Sequence, residues 1–198
     1  MLERIAGSSP RPMARITGVV YLLYFLTAVS SEVFVGRGRP VLFDAVNLIA
    51  DAFYIAVTLL LYYLFRPVNR SLSLLAAIFS LVGCANDVLG LLNFAPYKIS
   101  SLVFFGPYCL LLGYLIFRST FLPRILGVLM AFAGLGWLTF LSRPLANYLS
   151  PYNLALGILG QESVMLWLLV MGVNEQRWKE QACAAAEREP LPDRKSVV

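Results

Sequence analysis

Asp44, Asp51, Asp87 and Glu162 stand within apolar stretches long enough to cross a lipid bilayer, and no basic residue shares those interiors. The chain contains no His, and its 16 Lys and Arg fall at the ends of the stretches or in the connections between them. An unpaired charge in hydrocarbon costs several kcal/mol even on lenient insertion scales. Each acid must therefore be protonated, hydrogen-bonded to amides and hydroxyls, wetted by a cavity, or bound to a cation or cationic ligand. The chemistry open to such groups is proton or cation binding, or acid catalysis by a carboxylic acid kept neutral by apolar surroundings.

The amides that could serve these acids lie beside them. At 100° per residue, Asp44, Asn47 and Asp51 share one narrow helical face. Asn86 precedes Asp87, with Asn93 on an adjacent face, and Gln161 precedes Glu162. With a rise of 1.5 Å per residue, Asp51 is expected about 15 Å below the outer surface, Asp87 about 10 Å and Glu162 about 12 Å. Glu32 and Asp44 fall near enough to the outer interface to reach water. The inner halves hold only hydroxyls such as Thr17, Thr58 and Ser73. The pattern predicts one polar pocket facing the extracytoplasmic side, built by the first, second, third and sixth spans. The fourth and fifth spans carry no charged or amide side chain in their interiors and are expected to face lipid or pack.

About 20 apolar residues cross roughly 30 Å of hydrocarbon. On that length the spans are Ile16 to Val35, Val41 to Phe65, Ser71 to Phe94, Ile99 to Phe117, Pro123 to Leu141 and Leu154 to Val173. The fold class expected is all-α, a polytopic six-helix transmembrane bundle over residues 16–173, preceded by a segment 1–15 and followed by a tail 174–198. Short connections such as Gly36-Arg37-Gly38-Arg39-Pro40 and Arg66-Pro67-Val68-Asn69-Arg70 make successive helices antiparallel neighbours. On alternate connections, 12 Lys and Arg fall on the side of the two termini and 4 on the other, which places both termini in the cytoplasm. Tyr62, Tyr63, Trp137, Tyr148 and Tyr152 are expected at the membrane interfaces. Arg11, Arg15 and the run up to Ala28-Val29-Ser30 loosely resemble a signal peptide, but the apolar run continues past that point. In the tail, Asn174 to Glu187 reads as a short interfacial helix bearing Trp178, ended by Pro190 and Pro192.

Composition agrees: 59% of the 198 residues are hydrophobic and only 14% charged, with a mean hydropathy of +0.74. The net charge of +5 reflects topology rather than nucleic-acid binding, because the basic residues are spread over connections and ends. Cys84, Cys109 and Cys183 have no spacing for a metal or a disulfide framework, and the two within spans read as small packing residues. No metal site is expected, and no cofactor is indicated. The sequon Asn69-Arg70-Ser71 falls on the cytoplasmic side, so it is not expected to be glycosylated. Gly127, Gly134, Gly157 and Gly160 are expected at close helix crossings.

Several motifs together carry a family resemblance: Leu64-Phe65-Arg66-Pro67-Val68-Asn69-Arg70-Ser71-Leu72, Phe104-Phe105-Gly106 through Gly113-Tyr114-Leu115, Phe117-Arg118-Ser119, Leu122-Pro123-Arg124-Ile125-Leu126-Gly127, and Gly160 to Glu162 with Leu166-Trp167-Leu168-Leu169. From about Ile16 to Lys179 the chain resembles a bacterial integral-membrane family catalogued as a domain of unknown function, number four-three-eight-six. Pro107-Tyr108 departs from the continuous helical run expected there. The resemblance implies the topology and a bacterial cytoplasmic (inner) membrane location, and it brings no substrate or catalytic residue.

Three classes of function remain. A binding or transport module would use Asp51, Asp87 and Glu162, with Asn47, Asn86, Gln161 and Asp44, to hold a small lipophilic or cationic molecule near the midplane. A chain this short would more readily enclose a transport path as a homodimer. An intramembrane enzyme could instead use a neutral carboxylic acid on an isoprenoid-like substrate, although no nucleophile motif accompanies it. A structural or accessory subunit, partnered by the lipid bilayer and other chains, needs only the fold.

Overall fold

The computed structural model of the protein describes residues 10–35, 38–92 and 100–188. Asn93, Lys98, Ile99, the Gly36-Arg37 pair, Pro190, Pro192 and the extreme ends of the two terminal segments lie outside the described residues. The described part is helical: α1 (Pro10–Ser30) runs into a π-helical turn (Ser31–Val35) and is followed by α2 (Pro40–Phe65), α3 (Arg70–Leu91), α4 (Leu102–Arg118) and α5 (Arg124–Leu138). A short 3-10 turn (Thr139–Leu141), α6 (Arg143–Tyr148), α7 (Tyr152–Val170) and α8 (Glu175–Arg188) complete it.

Local sequence explains where these helices begin and end. Pro40 opens α2 at a position where its missing N–H is not needed. Asn69 caps α3 by accepting from the Leu72 amide at 3.0 Å, so the sequon asparagine is a helix cap. Gly172 adopts φ 69° and donates back to the Trp167 carbonyl at 3.0 Å. That left-handed residue ends α7 and lets α8 leave at a new angle.

Five helices are long and apolar enough to cross a membrane, while α4, with 17 residues, is a shorter apolar helix. Their outer faces expose Ile16, Val19, Leu23, Leu26, Leu74, Ile78, Ile125 and Phe132 among many others. So extensive an apolar surface is suited to lipid, and the chain is a multi-pass membrane protein.

Each of the six apolar helices packs mainly on two others, in the order α1, α2, α3, α4, α5, α7 and back to α1, so the bundle closes as a ring. Successive members are antiparallel. On α4 and α5, a Cβ on Gly113 would lie 2.7 Å from the Gly127 carbonyl oxygen, and one on Gly127 would lie 2.7 Å from that of Gly113. One heptad away, a Cβ on Gly134 would lie 2.9 Å from the Gly106 carbonyl oxygen. On α7, Gly160 abuts Ala133 and the Leu129 carbonyl of α5. The glycines expected at close crossings are there, because only a missing side chain lets backbones approach so nearly.

Three expectations are corrected. Helix α1 starts at Pro10, so residues 10–15 continue the first span's helix; composition marks the lipid-crossing part of a helix and misses the turn that carries Arg11 and Arg15. Trp137 is not an interfacial ring. It is 7% exposed, with its indole laid over Gly157, where the absent side chain leaves a slot. Tyr63, Tyr148 and Tyr152, in contrast, are exposed. The segment Arg143–Tyr148 forms a short helix where no element was expected.

Candidate functional site

Asp44, Asp51 and Asp87 lie on α2 and α3, in the half of the ring that α4 adjoins, and Glu162 lies on α7. On α3, the Asn86 amide donates to Ser101 Oγ at 2.8 Å, and Ser101 Oγ in turn donates to Asp87 Oδ1. Because Asn86 gives its proton to the serine oxygen, the serine hydroxyl proton is left to point at Asp87. Ser101 is 6% exposed, so this relay joins α3 to the start of α4 inside the protein. On α2, the Asn47 amide donates to Ser31 Oγ at 2.6 Å and to the Phe43 carbonyl at 2.8 Å. Ser31 is fully buried at the π-helical turn, and the wider turn aims it at α2. Asp44 lies half-buried just above Asn47.

Asp51 is within electrostatic range of Asp87, and its Oδ2 atom is buried without a hydrogen-bond partner. Glu162 is half-buried on α7, within electrostatic range of Tyr21 and Tyr24. Tyr24 lies within electrostatic range of Asp51, Asp87, Cys84 and Glu162. Gln161, 8% exposed, donates to Cys109 Sγ at 3.6 Å and thereby ties α7 to α4 across the ring. Glu32 is exposed at the outer end of α1 and stands apart from the group.

Reasoning from charged and amide residues missed the tyrosines. Tyr54 of α2 is at the centre of an aromatic cluster, with ring centroids 4.6 Å from Tyr24, 6.0 Å from Tyr21, 5.1 Å from Phe105 and 6.2 Å from Tyr108. Tyr21, Tyr54 and Tyr108 are buried to 2% exposure or less, and none of their hydroxyls makes a hydrogen bond with a described residue. The Tyr54 and Tyr108 hydroxyls lie near one another without meeting hydrogen-bond geometry. The fourth span packs, as expected of a helix without charged or amide side chains, and α4 with the preceding Ser101 also brings Phe105, Tyr108 and Cys109 to the interior. The signal was present in the sequence, because Asp44, Asn47, Asp51, Tyr54 and Thr58 form one stripe at spacings of three and four along α2.

Below this cluster the stripe continues as hydroxyl pairs. Thr58 Oγ1 and Ser80 Oγ are 2.6 Å apart in the buried α2–α3 seam, and Ser73 Oγ donates to the Tyr62 carbonyl at 3.1 Å. A cleft of about 440 Å³, lined by Arg11, Phe121, Trp167, Gly172, Asn174 and Glu175, lies at the other end of the bundle and includes none of Asp44, Asp51, Asp87 and Glu162. Among the described residues, no group of three His, Cys, Asp or Glu is arranged to hold a metal ion.

Fold and interior together define a polytopic helical membrane protein whose closed ring carries acids, amides and tyrosines on five of its helices. A family model described as Domain of unknown function (DUF4386) matches residues 97–172. An uncharacterized protein of Archaeoglobus fulgidus is 30% identical over 132 residues, an alignment that covers 60% of this chain and 76% of that protein. The chain belongs to this family of unknown function. That relative is archaeal, so the likeness does not confine the family to bacteria. No solved structure matches the chain.

Proposed function

We propose that the interior around Asp51 is a binding site for a small ligand reached from the extracytoplasmic side, and that the protein is a binding or transport module of the bacterial cytoplasmic membrane. One observation carries the reading: among the described residues, the buried Asp51 Oδ2 and the Tyr21, Tyr54 and Tyr108 hydroxyls have no hydrogen-bond partner. A purely structural polar core would be expected to satisfy its own groups, since an unmade hydrogen bond in a low dielectric costs about 1–3 kcal/mol. Three of these groups are the clustered tyrosines and the fourth is one turn from Tyr54 along α2, which favours a molecule that completes them. In the same reading α4 is the sixth span, its 17 residues reaching about 25 Å. The excess of 12 basic residues over 4 puts both termini in the cytoplasm.

The test compares amide with alanine replacements. Wild type, Asp51→Asn, Asp87→Asn and Glu162→Gln are purified from membranes, and any retained small molecule is identified by native mass spectrometry. The expected result is loss of that molecule in the amide variants with little change in melting temperature, while Asp51→Ala loses stability as well. Normal retention in all three amide variants would overturn the site.

A further inference from the structure

We infer that the ligand is an organic cation, an ammonium head group on an apolar body, held by Asp51 and faced by the rings of Tyr24 and Tyr54. The inference rests on the binding-site reading above and adds the chemical class. Three observations support it independently of one another.

The first is charge. Asp51, Asp87 and Glu162 bring acidic groups from α2, α3 and α7 into reach of one side chain, Tyr24, and no Lys, Arg or His lies in the span interiors to balance them. The chain itself therefore supplies no cation there. The second is the way the two nearer acids are treated. Asp87 is served by the Asn86–Ser101 relay, which delivers a donated proton to its Oδ1. Asp51, its electrostatic neighbour, has a buried oxygen to which nothing donates. One carboxylate is thus finished by the protein and the other is left for something else.

The third observation separates an organic cation from a metal or a neutral lipid. An aromatic group adjoins Asp51: Tyr24 lies in its electrostatic range, and Tyr54, one turn further along α2, has its ring centroid 4.6 Å from that of Tyr24 and 5.1 Å from that of Phe105. Hard metal ions require several oxygen ligands. Aromatic faces attract weakly hydrated cations such as ammonium groups through the ring quadrupole, and that attraction strengthens when the site is dry. A neutral lipid would gain nothing from the carboxylates. Tyr21 and Tyr108, whose hydroxyls are also unpartnered, extend the cluster and can accept from an ammonium N–H where the head group has one.

The probes are phenyltrimethylammonium and its uncharged carbon isostere tert-butylbenzene, titrated separately into the purified full-length protein in nanodiscs. Binding is read as a shift in melting temperature and as a Kd by calorimetry. The cation should bind at least about tenfold more tightly than the isostere, since 1.4 kcal/mol is a factor of ten and a dry cation–aromatic contact supplies about that much. Asp51→Asn should remove this preference while the protein still elutes and melts as wild type. Tyr54→Leu should weaken the cation by a similar factor, whereas Glu32→Gln, which alters an exposed charge, should leave it unchanged.

Equal binding of cation and isostere would overturn the cation class, as would cation binding indifferent to both Asp51→Asn and Asp87→Asn. If a neutral molecule co-purifies and is lost in Asp51→Asn while neither probe binds, the cation class falls and the binding site stands. If no probe binds and no variant changes what co-purifies, both fall. Should Tyr54→Leu fail to fold, Tyr24→Leu gives the same reading from the other ring.

Discussion

The indole Nε1 of Trp178 donates to the backbone carbonyl of Leu64 at 3.0 Å, joining residues 114 positions apart. Leu64 is in the last turn of α2, where carbonyls run out of helical partners, and the buried indole of α8 supplies one. Trp178 is 2% exposed, Asn174 caps α8 by accepting from the Arg177 amide at 3.2 Å, and Gln181 accepts from the Thr120 amide at 3.1 Å. The C-terminal helix is thus fastened to the end of α2 and to the turn that follows α4.

Trp178→Phe should therefore cost about 1 kcal/mol, the hydrogen bond alone, and Trp178→Ala about 3–5 kcal/mol, as for other buried large-to-small changes. Denaturant unfolding in detergent would measure both. Limited trypsin digestion should cut at Arg177 and Lys179 faster in Trp178→Ala than in wild type. Equal rates would mean that α8 is held by something other than this residue.

The α4–α5 crossing makes an opposite pair of glycine predictions. Gly113→Ala places a methyl 2.7 Å from the Gly127 carbonyl oxygen, a backbone atom that cannot swing aside. Forced packing of this kind costs about 1–3 kcal/mol. At Gly90 of α3 an added Cβ meets nothing within 4 Å, so Gly90→Ala should stabilise by about 0.5–1 kcal/mol through helix propensity. Thermal melts of the two variants should move in opposite directions.

The antiparallel pairing of successive helices was legible because apolar length and short polar connections leave little choice of neighbours, whereas the closure of α7 on α1 came only from the packing. The outer acids and amides were legible because a polar residue in an apolar run stands out. The tyrosines were not, since Tyr21, Tyr54 and Tyr108 count as apolar in composition and only their burial without partners marks their hydroxyls. The role of Ser101 was hidden for a different reason. It falls within the fourth span as one of two adjacent serines without charge or amide, and only the packing of α4 on α3 brings it to Asp87. Trp178 read as an interfacial anchor, because nothing local in the sequence tells a lipid surface from a protein one.

The buried hydroxyl pair between α2 and α3 can be tested as a coupled unit. Thr58 Oγ1 donates to the Tyr54 carbonyl at 2.9 Å and so accepts from Ser80 Oγ at 2.6 Å. Ser80→Ala and Thr58→Val should each cost roughly 1 kcal/mol, the scale of interhelical hydrogen bonds in membranes. The double variant should cost less than the sum, because neither partner is then left unpaired. Additive costs would show that the contact contributes nothing of its own.

Cysteine accessibility tests the orientation with residues the protein already has. Cys84 and Cys109 are buried inside the ring, while Cys183 is exposed on the outer face of α8. Trp178 holds α8 at the end of the bundle where α2 finishes, which the 12-to-4 excess of basic residues assigns to the cytoplasm. A membrane-impermeant maleimide should leave intact cells unlabelled and label one thiol per chain in inverted vesicles, and Cys183→Ser should abolish that signal. After denaturation all three thiols should react. Labelling of Cys183 in intact cells would reverse the orientation, and with it the assignment of Asp51 and Asp87 to the extracytoplasmic half. Partial labelling of Cys84 or Cys109 in the folded protein would show instead that the ring opens to solvent on the side where the ligand is proposed to enter.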